Sequence, residues 1–144
     1  MSSIAVGIDG SHNASRALDW AMSEAAVRNA ELTVITVHSA VASAWTGRPV
    51  AYPGDEDEVA NARKAAEAAV TKIADSMGEK RPAAVTVTAI NGFPAKTLID
   101  VSGNVDLLVV GSRGGGGFSS LKLGSVTAQV VHHAKCPVVV VPAR

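Results

Sequence analysis

Glycines cluster in a segment near the C-terminus whose residue types could bind a phosphate. The apolar run from Leu107 to Gly111 leads into Ser112, Arg113, Gly114, Gly115, Gly116 and Gly117. Glycine has no Cβ and adopts positive φ readily, so successive N–H groups can point into one concavity around an anion. The segment therefore predicts a phosphate-binding loop, with a flexible surface loop as the alternative.

A second group with the same chemistry follows this loop. Gly124, Ser125 and Val126 lie where the next helix is predicted to begin. Unpaired N–H groups and the positive end of the helix dipole favour an anion at such a position. The Ser125 hydroxyl can cap this helix, and it can also donate a hydrogen bond to a phosphate oxygen.

Alternating strand-like and helix-like segments must hold these groups in place. Five strands are predicted, over residues 4–9, 32–38, 85–90, 107–111 and 137–141. Four helices are predicted: one that begins after Ser11 or Asn13 as its cap, one over 55–78, one from Pro94 to near Gly103, and one over 125–135. Strands separated by helices imply parallel βαβ units with right-handed crossovers. The sequence therefore predicts one α/β domain over residues 1–144, an open five-stranded parallel sheet with helices on both faces.

The glycine spacing resembles the nucleotide-binding signature of the universal stress protein family, in its ATP-binding branch. Gly111 is followed after two residues by Gly114, and after nine more by Gly124 and Ser125. Three further segments resemble the family's first strand and turn, the loop before its third helix, and its final strand: residues 4–11, 92–94 and 136–141. The resemblance covers the whole chain and implies the Rossmann-like strand order 3-2-1-4-5.

That order implies a binding crevice beyond the carboxyl ends of strands one and four, where the chain reverses direction. Asp9, with Gly10 and Ser11, would meet the ribose; an Asx turn or helix cap is the alternative for Asp9. The resemblance further assigns backbone groups of Val37, His38 and Ser39 to the adenine edge, and Gly111 to the ribose. The phosphates would meet the amides of Gly114 to Gly117, with Ser112 and Arg113 alongside, and the Ser125 hydroxyl. The alternative for Arg113 is a side chain that points to solvent.

The resemblance implies an ATP-binding stress-response protein that acts by regulation or protection, and we expect Mg²⁺ to accompany the ATP. Too few metal carboxylates and bases are present for rapid turnover, so we expect no enzyme. A weak ATPase, a cyclic-AMP-binding module of the same fold, and a structural module without nucleotide are the alternatives.

Composition excludes several other classes. Thirteen basic and thirteen acidic residues give no net charge, and five aromatic side chains are few for base stacking, so a nucleic-acid partner is not expected. No signal peptide or long apolar run is present, which predicts a cytoplasmic protein without membrane contact. The lone Cys136 agrees with a reducing compartment, and the four histidines have no zinc-ligand spacing.

Two further features concern the surface. The apolar run Val138 to Val141 is predicted to be an edge strand, which favours a homodimer through this strand. Pro137 and Pro142 would blunt that edge in the alternative, monomeric protein. Residues 40–54, with Trp45 and Tyr52, form either a lid over the crevice or a disordered excursion.

Overall fold

A five-stranded parallel sheet forms the centre of the computed structural model, which describes residues 2–112 and 123–143. In chain order the elements are β1 (Ser3–Ile8), α1 (His12–Arg28), β2 (Glu31–Ser39), β3 (Val41–Ala42), β4 (Pro49–Val50), α2 (Asp55–Met77), a 3₁₀ turn (Gly78–Lys80), β5 (Val85–Gly92), α3 (Pro94–Ser102), β6 (Leu107–Gly111), α4 (Ser125–His133) and β7 (Val138–Val141). The sheet order is β5-β2-β1-β6-β7. When only the five strands of this sheet are counted along the chain, the order is 3-2-1-4-5, so the predicted fold class and strand order are confirmed.

Alternation along the strands divides the core into two layers. Ile4 and Val6 of β1 are buried on the face that carries α1 and α2, whereas Ala5 is buried on the face that carries α3 and α4. Successive side chains of a strand point to opposite faces, so a strand buried on both sides reads as a continuous apolar run. Both faces are covered by helices, as the alternating pattern predicts.

Gly7 allows the close approach of α3 to the sheet. An ideal Cβ at this position would lie 2.9 Å from both terminal methyl groups of Leu98. Leu98 is itself buried, so it has little room to move. Glycine at position 7 therefore sets the distance between β1 and α3 close to the carboxyl end of the strand.

Helix termini follow the sequence signals with one exception. Ser11 caps α1 by accepting a hydrogen bond from the Ala14 N–H at 3.2 Å, and Gly78 ends α2 with a φ of 60°. The prediction that Ser125 caps α4 is wrong, because Gly124 is the N-cap and Ser125 is the first helical residue. This helix ends at His133, two residues before the predicted end.

The connection between β2 and α2 contains a small antiparallel hairpin. Val41 pairs with Val50, and Ala42 pairs with Pro49. Trp45, at the tip of this hairpin, is 96% exposed. Two-residue strands leave no periodic pattern in a sequence, which is why the hairpin was not predicted.

Within the described ranges, no helix combines the length and apolar composition needed to cross a membrane.

Candidate functional site

A cavity of about 250 Å³ opens at the carboxyl ends of β1, β2 and β6. Its described lining residues are Gly7, Ile8, Asp9, Ala14, Val37, Ser39, Pro94, Leu98, Val110, Gly111, Gly124, Ser125, Val126 and Thr127. The cavity lies at the switch point of the sheet, because β1 is followed by the helix on one face and β6 by the helix on the other. Apolar residues form most of the wall, and polar side chains that follow β1, end β2 and begin α4 complete it.

Asp9 lies directly beyond β1 and is exposed at the mouth of this cavity. Its Oδ1 accepts a hydrogen bond from the Ser11 N–H at 2.9 Å, which is the Asx turn considered as the alternative for this residue. No group among the described residues bonds to Oδ2. The carboxylate can therefore hold the turn with one oxygen and accept from a ligand with the other.

The end of β6 is fastened to the start of α4. Thr127 Oγ1 donates a buried hydrogen bond to the Gly111 carbonyl oxygen at 2.6 Å. The Ser112 carbonyl oxygen accepts from the Gly124 N–H at 2.7 Å. These two bonds bring residue 124 beside residue 112 and fix the start of α4 to the end of β6.

Ser112 has a structural position beside the last strand. Its N–H donates to the Val141 carbonyl oxygen at 2.9 Å, and its Oγ accepts from the Ala143 N–H at 3.2 Å. The residue is buried and does not line the cavity. Ser112 thus joins β6 to the chain after β7.

The first turn of α4 presents backbone donors at the cavity. The N-cap Gly124 has no side chain to accept from this turn. Among the described residues, no acceptor bonds to the N–H groups of Ser125, Val126 or Thr127. Three unpaired amides at the positive end of a helix favour an anion. The Gly124 N–H is engaged by Ser112 and does not belong to this set.

The structure brings seven of the predicted binding residues to one cavity: Asp9, Val37, Ser39, Gly111, Gly124, Ser125 and Val126. Gly10, Ser11, His38 and Ser112 are described but do not line it. Arg113 and the four glycines Gly114 to Gly117 lie outside the described residues, so their predicted role stays a prediction.

His38 faces away from the cavity because the strand alternates. Val37 and Ser39 line the cavity, so the intervening side chain points to the opposite face of the sheet. There His38 Nε2 lies 3.3 Å from Asp55 Oδ1, at the start of α2. Its side chain joins β2 to that helix.

Sequence reasoning left out half of the lining. The missed residues are Gly7, Ile8, Ala14, Pro94, Leu98, Val110 and Thr127. Six of them are apolar or lack a side chain, and such residues are hard to distinguish from ordinary core residues in a sequence. Thr127 had a possible signal, since a hydroxyl within the first turn of a helix can reach the preceding strand.

Groups for covalent or metal-dependent chemistry are sparse in the described part of the chain. No cluster of three or more His, Cys, Asp or Glu side chains there could hold a metal ion. Burial raises the pKa of the Cys136 thiol above its ordinary value, and the Leu108 backbone hydrogen bond only partly offsets this. The thiol lies before the amino end of β7, whereas the cavity is at the carboxyl ends of the strands.

Comparisons with known proteins agree with this architecture. A family model described as the universal stress protein family matches residues 1–142. A universal stress protein of Mycolicibacterium smegmatis is 36% identical over 138 residues, which are 96% of this chain and 47% of that protein. The chain thus spans about half the length of the curated relatives it matches.

Two solved structures are similar over nearly the whole chain. UspA from Lactobacillus plantarum has a TM-score of 0.79 and 26% identity, covering 97% of each chain. A universal stress protein in complex with cAMP has a TM-score of 0.67 and 26% identity, covering 98% of this chain and 96% of that one.

Proposed function

The chain belongs to the universal stress protein family, and we propose that it binds an adenine nucleotide, principally ATP, in the cavity at the carboxyl ends of β1 and β6. One observation carries the proposal. An apolar slot leads directly to three unpaired amides at the N-terminus of α4. A purine requires apolar walls and a few polar groups, and a phosphate requires N–H donors.

The parts of the nucleotide are assigned by the chemistry of the walls. Val37, Leu98 and Val126 form the apolar slot for the adenine ring. Asp9 Oδ2 accepts from a ribose hydroxyl. The first-turn amides of α4 and the Ser125 hydroxyl donate to phosphate oxygens, and the sequence predicts further amides from Gly114 to Gly117. A cavity of about 250 Å³ is smaller than the usual ~300–1,000 Å³ of ligand sites, so part of the triphosphate lies outside it.

Mg²⁺ is expected to accompany ATP. Asp9 is the one carboxylate among the described lining residues. The phosphates therefore supply most of the ligands for the ion, as is common for Mg²⁺ at nucleotide sites. The ion would reduce the charge of the triphosphate where few protein cations are close.

Cyclic AMP is the second candidate ligand. The universal stress protein solved in complex with cAMP is 26% identical to this chain over nearly its full length. The same apolar slot and the same amides suit its purine and its single phosphate. Competition between ATP and cyclic AMP on one sample distinguishes the two candidates.

We further propose that the protein acts through binding, as a regulator or protective factor, and pairs as a homodimer through β7. Asp9 is the one carboxylate among the described lining residues, and its two oxygens are assigned to the Ser11 N–H and to the ribose, so none is left to act as a general base for ATP hydrolysis. Phosphate release at saturating Mg·ATP should stay below ~1 s⁻¹, the lower end of ordinary enzymes. Release at an ordinary enzymatic rate would make the chain an ATPase.

The decisive test is a calorimetric titration with ATP on two matched variants. Val37→Trp places a large ring in the apolar slot and should weaken ATP binding at least about tenfold, equivalent to roughly 1.4 kcal/mol. Val41→Trp, on the exposed hairpin strand β3, lines no part of the cavity and should leave the affinity unchanged. Circular dichroism confirms that both variants are folded.

Two outcomes contradict the proposal. If the wild-type protein binds no adenine nucleotide, or if Val37→Trp binds ATP as tightly as wild type, the cavity is not the site. A comparison of Mg·ATP with AMP then tests the phosphate contacts. Equal affinities would mean that the site recognises adenosine and that the α4 amides contribute little.

A further inference from the structure

A second cavity, of about 260 Å³, lies on the opposite face of the sheet between α1 and α2. Its walls are largely methyl groups, from Ile8, Leu18, Ala62, Ala65, Ala66 and Ala69. Alanine on α2 leaves this space open, since larger side chains would close the gap between the helices. From this cavity we propose a binding site for a small, neutral, mostly apolar molecule that carries one hydroxyl or N–H group.

A largely buried threonine in the lining has a hydroxyl that bonds to no described residue. Thr36 belongs to the face of β2 that also carries Leu32 and Val34, and it is only 7% exposed. Thr36 is one of the lining residues, and its hydroxyl has no hydrogen-bond partner among the described residues. Among those residues only Asn91 Oδ1 is both fully buried and unpaired, so the Thr36 hydroxyl keeps accessible surface that a ligand can reach. The Thr36 hydroxyl can donate to or accept from one polar group of a ligand.

The mouth of the cavity selects against anions. Asp9 lines it together with Ser11 and Ser15. A carboxylate at the entrance repels a ligand acid, so a fatty acid or an aromatic acid is disfavoured. A neutral alcohol or amine meets no such repulsion.

The volume fixes the size of the ligand. An apolar protein cavity of about 150 Å³ is sufficient for benzene. A cavity of about 260 Å³ therefore accommodates a two-ring molecule, and it is too small for most drug-sized ligands. This site is separate from the nucleotide cavity, although Ile8, Asp9 and Ala14 belong to both linings.

The test uses 2-naphthol as the probe, followed by its own fluorescence at an excitation wavelength that the protein does not absorb. We expect saturable binding of one probe per chain. The carboxylate probe with the same ring system, 2-naphthoate, should bind at least about tenfold more weakly because of Asp9. Binding of 2-naphthol should persist at saturating ATP, since the nucleotide cavity shares only Ile8, Asp9 and Ala14 with this lining.

Variants of α2 locate the probe. Ala62→Leu extends a half-buried lining residue into the cavity and should lower the affinity at least about tenfold. Ala68→Leu, exposed on the same helix and outside the lining, is the matched control and should bind as wild type. If Ala62→Leu is poorly folded, Ala65→Leu at the exposed rim replaces it.

Thr36→Val tests the polar contact. It removes the hydroxyl and keeps the shape, so 2-naphthol should bind about three- to tenfold more weakly, while naphthalene binding stays unchanged. The proposal is overturned if 2-naphthol shows no saturable binding, if ATP displaces it completely, or if both cavity-filling variants bind as wild type. If Thr36→Val weakens the binding of 2-naphthol and of naphthalene equally, the Thr36 hydroxyl does not bond to the probe.

Discussion

At the scale of single residues, the hydroxyl of Thr127 fixes two parts of the cavity at the carboxyl ends of the strands to each other. It donates to the Gly111 carbonyl oxygen at 2.6 Å, and both residues line the cavity. Without this bond the buried carbonyl loses its partner, and the first turn of α4 is no longer fixed to β6. The contact therefore links the stability of the fold to the position of the phosphate donors.

Thr127→Val should destabilise the protein by about 1–3 kcal/mol, because it leaves the buried Gly111 carbonyl unsatisfied. ATP affinity should fall as well. Thr86→Val, on the exposed side of β5, makes the same chemical change and should alter the stability by less than about 0.5 kcal/mol. Urea unfolding of the wild type and the two variants measures their stabilities, and calorimetric titration measures their ATP affinities. Equal stabilities would mean that this bond contributes nothing.

The sequence predicts charged and glycine residues of the cavity better than its apolar lining. Asp9 and Gly111 stand out because they interrupt or end apolar strands. Leu98 and Val110 line the same cavity but have the composition of core residues. Their position depends on which side of a helix or strand faces the crevice, and that depends on packing across the whole sheet. The prediction for His38 concerned its backbone groups; alternation along β2 turns its side chain towards α2.

At the scale of elements, the start of α2 is joined to two strands and to the preceding connection by one carboxylate. Asp55 Oδ1 lies 3.3 Å from His38 Nε2. Asp55 Oδ2 accepts from the Tyr52 N–H at 2.6 Å and from Asn91 Nδ2 at 3.4 Å. The four acidic residues of the first turn predicted the start of α2, because they complement the dipole of the helix. The hydrogen bonds of Asp55 add contacts that this dipole does not require.

Asp55→Ala should lower the free energy of unfolding by about 1–3 kcal/mol, since it removes the acceptor from three groups at once. Asp57→Ala, exposed in the same first turn, also loses a charge near the helix dipole. It should cost about 0.3–1 kcal/mol at most. The difference between the two variants in urea unfolding isolates the network. A difference of zero would reduce Asp55 to another dipole charge.

Elements with a clear apolar pattern were predictable, and the two-residue strands were not. The helix α2 begins at Asp55 and ends at Met77, within one residue of its prediction, because charges, periodicity and Gly78 all mark it. The hairpin of β3 and β4 has two residues per strand and no repeating pattern. In addition, β2 and β5 each extend beyond their predicted ends, where polar residues such as Ser39 and Asn91 still pair.

At the scale of the whole molecule, the sheet order decides which distant segments meet. Alternating elements predict a parallel sheet, but they do not specify that β1 lies between β2 and β6; the family resemblance supplied that order. Once β1 and β6 are neighbours, Asp9 and Gly111 come to the same end of the sheet, about a hundred residues apart in the chain. The same order places β5 and β7 at the two edges.

The edge strand β7 is the basis for predicting a homodimer. Val138, Val139 and Val140 are partly exposed although they are apolar, and β7 is the last strand of the sheet. An apolar edge of this kind favours pairing with another strand unless it is covered. Two copies related by a two-fold axis can pair these edges antiparallel, which covers both edges at once.

Light scattering at micromolar concentration should therefore give about twice the chain mass for the wild-type protein. Val139→Lys and Val140→Lys should each shift it towards the monomer, because a charged side chain on an edge strand opposes pairing. Thr86→Lys, on the opposite edge strand β5, is the matched control and should remain dimeric. A wild-type monomer would mean that Pro137 and Pro142 blunt the edge. A dimer that persists in both folded valine variants would place the interface on another surface.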